Sequence, residues 1–349
     1  VPDVLLCERE SSLLAMSSGR NAAIFRPLEL DAEITALVAR SAVLLDQLLG
    51  SRSEWLRSAG LLFVARDSRS IDHLARAAEG TDVTLTPLGE RELHEQEPLL
   101  REGDARAGMA VAGAGQLDTH AIATALVRSF RAGGGTIRTG VDIVRIEQRH
   151  ARVAGVRTVS GERLACRVAV IACGAWAPEL GRTSGCDLTL EILRRHLVLL
   201  DGVEPPPTRT IWDVQQELYF RPESGRVLAS PGDARRLPAP DYVASPRALA
   251  LLVAKARGVA PPIARAHVQR LWACLRVFAR DGRPVIGEDP RVAGLHWIAG
   301  LGGFGMSAGV AAGEVLARVV LRDRRREDES FSPRRLGATR VARVRVSPR

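Results

Sequence analysis

Four glycines fall within six residues near the C-terminal end of the chain: Gly300-Leu301-Gly302-Gly303-Phe304-Gly305, followed by Met306 and Ser307. A short apolar run, Leu295 to Ala299, precedes them, and an Ala-rich apolar segment follows to Leu321. The order reads as strand, bare loop, helix. Main chain without side chains can lie close to a ligand while the helix N-terminus points at it. Gly300, Gly302 and Gly305 match the G-x-G-x-x-G spacing of dinucleotide-binding turns. That pattern needs a following strand with an acidic residue about 20 positions on. Arg322 to Glu329 is a charge run instead. The loop is therefore expected to contact a cofactor without being the founding phosphate loop of a Rossmann unit.

Other segments show the company it keeps. Asp3-Val4-Leu5-Leu6-Cys7-Glu8-Arg9 has the pattern of a buried strand ending in an acid, and Ser17-Ser18-Gly19-Arg20-Asn21-Ala22-Ala23 is a polar glycine turn soon after. Val168 to Cys173 is a strand running into the small-residue turn Gly174-Ala175-Trp176-Ala177, and Asp281-Gly282-Arg283-Pro284 precedes the glycine loop. In this order the segments resemble the flavin-dependent D-amino acid oxidase superfamily, which includes glycine and sarcosine oxidases and D-amino acid dehydrogenases. The resemblance runs to about Leu321. Leu218-Tyr219-Phe220-Arg221-Pro222, Trp272-Ala273-Cys274-Leu275-Arg276 and Ser332-Pro333-Arg334-Arg335-Leu336 are most similar to the D-arginine dehydrogenase branch.

The resemblance implies FAD as cofactor and an α/β fold: a Rossmann-like FAD/NAD(P)-binding domain beside a β-rich antiparallel substrate domain. It implies cofactor contacts at Glu8 and Arg9, at Ser18, Gly19, Arg20 and Asn21, at backbone near Ile143, at Cys173, Gly174 and Trp176, and along Gly300, Gly302, Gly303, Phe304, Gly305 and Met306. Glu8 would bind the adenosine ribose hydroxyls. Members of the superfamily open with a strand, a G-x-G-x-x-G turn and a helix that hold the pyrophosphate. This chain opens at the second strand, with Val1 instead of Met. The expectation is that the Rossmann-like domain is truncated at its N-terminus, from a start set too late, a fragment, or a real short product. Loss of a central strand would expose backbone groups and apolar faces.

Hydrophobic spacing predicts a helix over Asp31 to Leu49, with Asp31 as N-cap and Gly50 past its end, and others over 71–78, 119–131 and 246–257. Strands are expected at 61–64, 136–146, 152–159, 168–173, 188–200, 218–220, 227–230 and 267–278. Residues 81–106 carry little pattern, beyond a helix near 90–100 stopped by Pro98. The expected division is a discontinuous FAD domain of 1–50, 110–185 and 280–322, a substrate domain of 51–109 and 186–279, and a basic tail, 323–349, that is extended or disordered.

The family's reaction moves a hydride from the amine-bearing carbon to flavin N5, in oxidative deamination of a D-amino acid or secondary amine. The protein positions substrate and tunes charge. A substrate carboxylate calls for arginine, whose planar fork makes two parallel bonds to it. Arg276 is the first candidate: Leu275 and Val277 flank it, so its face of the strand differs from theirs. The alternative is a salt-bridged strand arginine. Arg194 and Arg195 match a second basic position, one toward the site and one away, against a solvated edge as the alternative. Tyr219 would cap the substrate, or pack. Phe304, Met306 and Leu301 would line the cofactor or pack at a helix start. Cys274 is weighed as a flavin attachment point and preferred as a core cysteine. Ile24 and Arg26 depart from the D-arginine branch; Arg26 would repel a cationic substrate side chain. A 2-hydroxy acid dehydrogenase or oxidase, or a truncated non-catalytic flavoprotein, are the rival functions.

Composition narrows the partners. Formal charge is +9, yet Lys255 is the only lysine among 49 basic residues, a skew of base composition rather than of phosphate contacts. At 4% aromatic content a stacking platform for nucleic acid is not expected. The expected partners are a small amino acid or amine and an electron acceptor, quinone or oxygen. Five cysteines with no C-x-x-C and no histidine cluster predict no metal site and a reducing compartment. That suggests a bacterial cytoplasmic protein, with peripheral attachment at the inner membrane as the alternative. No apolar run reaches the length of a membrane span.

Overall fold

The computed structural model describes residues 3–323 and 325–336. The elements that frame the site are, in chain order, β1 (Leu5–Glu8), α1 (Ala32–Leu49), β2 (Thr136–Thr139), β3 (Ala169–Ile171), β4 (Leu190–Asp201), β5 (Tyr219–Glu223), β6 (His267–Ala279), β7 (Val285–Glu288), β8 (Leu295–Ala299) and α2 (Gly305–Val320).

Two small sheets carry the parallel part of the fold. β1 pairs with β2 in parallel, Leu5 opposite Thr136. β3 pairs in parallel with β8, whose far side takes β7 antiparallel. Among the described residues, β1 and β3 each have one unpaired edge. Val4, Leu5 and Leu6 at the first edge and Val168 and Val170 at the second are all exposed, between 39% and 44%. The long helix α1 starts where expected: Asp31 accepts hydrogen bonds from the amides of Glu33 and Ile34, and Gly50 closes the last turn with a φ of +93°. Its buried face, Ile34, Leu37, Val38 and Leu45, packs with Ala308, Ala311 and Val315 of α2 over Trp55 and Phe25.

The largest sheet has nine strands. Its order runs Arg235–Leu237, β4, Arg226–Ser230, β5, Thr210–Asp213, Leu61–Ala65, Ala107–Val111, Leu85–Gly89, with β6 paired along β4. Only the pair Thr210–Asp213 with Leu61–Ala65 is parallel, so the sheet is mostly antiparallel as expected. Its core gathers Leu62, Val64, Leu93, Val198, Ile211, Phe220 and Leu252.

Three expectations change. Leu85–Gly89 is a strand that its sequence does not announce, because Pro87 interrupts it; it lies at the sheet's edge, where a missing N–H costs least. The single strand expected over 136–146 is two, β2 and Ile143–Arg149, broken at Gly140 with a φ of +70°. Residues 326–336 of the expected extended tail form two 3-10 turns. Phe331 is buried at 5% exposure in the α1–α2 cluster, and Asp328 pairs with Arg318 of α2 at 2.5 Å. Apolar burial and a buried ion pair anchor a stretch whose charge alone suggested solvation. The remainder of the tail, 337–349, lies outside the described residues. No described helix is long and apolar enough to cross a membrane.

Candidate active site

β8 ends at Ala299 and α2 begins at Gly305, so the glycine loop turns a strand into a helix within five residues. Gly300 and Gly302 take φ values of +69° and +49°, a region side chains resist. A Cβ on Gly302 would come within 2.6 Å of the Phe278 ring. The Gly302 amide bonds Val277 O at 2.8 Å, which ties the loop to β6. A Cβ on Gly303 would stand 3.7 Å from Arg276 Nε. Gly303 therefore lies in contact range of the arginine singled out in the sequence. The Phe304 side chain is buried in the α1–α2 cluster, and Met306 packs against it. Packing accounts for these two side chains, which leaves the backbone of Gly300–Gly305 as the surface available to a ligand.

Strand register decides which side chains share the site. On β6, Trp272, Cys274 and Arg276 lie on one face and Leu275 and Val277 on the other. Tyr219 of β5 is buried, stacks on Trp212 with centroids 4.5 Å apart, and packs with Cys274, Ala22 and Leu228. Its hydroxyl lies close enough to Arg276 to favour the arginine's charge. Burial opposes the charge of Arg276, and Cys274, Tyr219 and Asp233 more than offset this, so its pKa is raised and it stays a cation. The Cys274 thiol donates to Arg195 O at 3.3 Å inside this cluster. That bond and its burial favour the core role for this cysteine.

The two neighbouring arginines diverge. Arg194 is buried and reaches Asp241 at 2.5 Å and Val243 O at 2.9 Å, pinning the loop that carries Tyr242. Arg195 stands opposite Cys274 on the Arg276 side, but its guanidinium meets Asp233 O, Gly232 O and Glu217. Neither aims a free fork at the glycine loop. Arg26 pairs with Glu29 at 2.7 Å and lies 4.7 Å from the Trp212 ring. Its charge is compensated, so the repulsion of a cationic substrate is weaker than the bare sequence implies.

The residues expected to meet the adenosine gather where the ends of β1 and β3 come together. Glu8 accepts from the Glu10 amide at 2.9 Å, and the Arg9 guanidinium stacks 3.8 Å from the Trp176 ring. Gly174 turns with a φ of +54°. Burial pushes the Cys173 thiol up to about 12. Ile143 opens its strand nearby, opposite Thr158. The Ser17–Gly19 turn is fixed by Ser17 Oγ donating to Leu275 O at 3.0 Å. Gly19 has no room for a side chain: a Cβ would come within 2.0 Å of Leu14 O. Asn21 folds back on Ser18 O and accepts from the Ala23 amide, and Arg20 lies 5.0 Å from the Tyr242 ring.

Tyr242 is the residue that sequence reasoning missed. It stacks on Trp176 at 5.9 Å and meets Ser17 Oγ at 3.2 Å, bridging the large sheet to both turns. Its loop has no periodicity. The available signal was scarcity: the chain has two tyrosines, and both stand here.

Comparisons with known proteins agree with this geometry. A family model described as FAD dependent oxidoreductase matches residues 2–319. 4-Methylaminobutanoate oxidase (formaldehyde-forming) of Paenarthrobacter nicotinovorans is 26% identical over 295 residues, 79% of this chain and 35% of that protein. Glycine oxidase of Geobacillus kaustophilus is 26% identical over 249 residues, 69% of this chain and 64% of the relative. The chain thus spans about a third of one curated relative and just under two thirds of the other. The crystal structure of L-proline dehydrogenase from P. horikoshii superposes with a TM-score of 0.83 at 17% identity, covering 96% of this chain and 98% of the other.

Proposed function

The chain belongs to the family of FAD-dependent oxidoreductases, and from that premise we propose that it oxidises the carbon–nitrogen bond of an amino acid or secondary amine, with a D-amino acid dehydrogenase as the leading form. One observation carries the proposal: Arg276, on the same face of its strand as Cys274 and Trp272, lies against the bare backbone of Gly303. A substrate that carries a carboxylate next to its amine would bind the fork and lie beside the loop.

The residues present fit FAD at both of its ends. Gly302 and Gly303 present main chain without side chains, exposed at Gly303, and Glu8 ends β1 with a carboxylate suited to paired hydroxyls. When bound, FAD supplies the two-electron acceptor. The chain's own residues do the rest. Arg276 binds and orients the carboxylate; Tyr219, stacked on Trp212, fixes the arginine. Ala22, Ile24 and Trp272 form an apolar wall that excludes water from the reacting carbon. Tyr242 covers the side near Ser17 and Trp176. No described side chain is assigned as base, since an amine that has lost its proton to water needs none. The division into a discontinuous FAD domain and a substrate domain of 51–109 and 186–279 is part of the same proposal, supported by the large sheet's strands.

The test is turnover with an artificial electron acceptor on D-alanine, D-arginine and 2-hydroxyglutarate. Activity on an amino acid with none on the hydroxy acid supports the proposal; the reverse result replaces it with a hydroxy acid enzyme.

A further inference from the structure

The described chain ends beside an arginine whose bonding is complete. Arg335 Nε donates to Asp281 Oδ2 at 2.6 Å. Nη2 donates to Asp281 Oδ1 at 3.1 Å and to Arg283 O at 2.8 Å. Nη1 donates to Phe331 O at 2.7 Å and Ser332 O at 3.1 Å. All five N–H directions of a guanidinium are used, and the side chain is only 17% exposed. The segment that delivers it is seated by Phe331 in the core and by the Asp328–Arg318 pair. Pro333 lies over Gly287 of β7, where a Cβ would come within 3.2 Å of the ring.

The turn it grips joins β6, which carries Arg276, to β7. Gly282 turns with a φ of +80°, and Asp281 Oδ1 also accepts from the Arg283 amide at 3.2 Å. Arg283 Nε reaches Asp31, the N-cap of α1, at 2.6 Å. Gly300 leans on this same turn: its Cβ would stand 3.2 Å from Ala279 N and 3.7 Å from Arg283 O. That carbonyl is the one Arg335 holds. From guanidinium to glycine loop there is thus a single intervening group.

We propose that Arg335 is a positioning residue: it fixes the Asp281–Arg283 turn, and the turn sets where Gly300–Gly303 lies relative to Arg276. The inference rests on the proposal that this loop faces the flavin. A lysine could supply the charge but not the fork that joins Asp281, Arg283 O and the 331–332 carbonyls at once.

Hydrogen–deuterium exchange on the whole chain tests it, without and with added FAD, for the parent protein, R335K, R335A and D281N. Exchange of the Gly300–Gly305 amides should rise by about tenfold or more in R335A, as loss of charge-assisted bonds implies. Exchange within Leu61–Ala65 and Ala107–Val111 should not change. R335K should restore little, and D281N should reproduce the effect while leaving Phe331 seated. FAD affinity, read by flavin fluorescence, should fall in parallel. A lowered melting temperature with unchanged exchange in the loop would reduce Arg335 to an anchor and overturn the proposal. If R335A does not fold, protected loop amides in D281N overturn it equally. Parent protein that takes up no FAD would sink the proposed function, while the exchange comparison still decides the role of Arg335.

Discussion

Arg276 and Arg194 are both arginines in apolar strands, and their neighbours decide what they do. Arg276 meets a tyrosine hydroxyl and open glycine backbone; Arg194 is consumed by Asp241 and Val243 O. Alternation along β6 made the first legible in sequence, since Leu275 and Val277 must face away. It could not separate Arg194 from Arg195, because their partners come from a patternless stretch, 232–243. R276K should keep the fold and raise KM for a carboxylate substrate at least tenfold, the loss of about 1.4 kcal/mol or more that a broken bidentate pair implies. Steady-state kinetics with melting curves would check it; unchanged KM contradicts the assignment. Flavin should be released free when the protein is denatured, because the Cys274 thiol is committed to Arg195 O; flavin retained in the precipitate contradicts this. Asp281 gives a pH signature. Burial works against its charge, but the Arg335 hydrogen bonds and charge outweigh this and hold the carboxyl below its ordinary value. A carboxyl depressed in the folded state contributes stability above its unfolded pKa of about 3.9 and loses it as pH falls through the folded value. The difference in melting temperature between parent and R335A should be full at neutral pH and shrink below about pH 4.

At the scale of elements, glycines in one short segment have opposite meanings. Gly302 has a left-handed φ and no space beside Phe278, whereas Gly309 and Gly313 inside α2 have nothing within 4 Å of an added Cβ. G302A should destabilise by about 1–3 kcal/mol from backbone strain alone and abolish FAD uptake. G309A should be neutral or stabilising by up to about 1 kcal/mol. Thermal melts and flavin binding distinguish them. The helices and most strands were legible because period and caps agree, as in α1 with Asp31 and Gly50. The Phe331–Leu336 segment was not, because its one anchoring aromatic sits among charges and the turn that Arg335 grips lies more than 50 residues away in sequence.

For the whole molecule, the telling feature is the pair of bare edges. Among the described residues, β1 and β3 present unpaired backbone flanked by Val4, Leu5, Leu6, Val168 and Val170. Such edges recruit other strands. The central claim is that Gly300–Gly305 and Arg276 enclose a flavin and a carboxylate. Its most direct measurement is anaerobic titration of FAD-loaded protein with an amino acid while the visible flavin band is followed. The band should bleach in the parent protein and persist in R276A with FAD still bound; a chain that takes up no FAD, or equal bleaching in both proteins, would contradict the account.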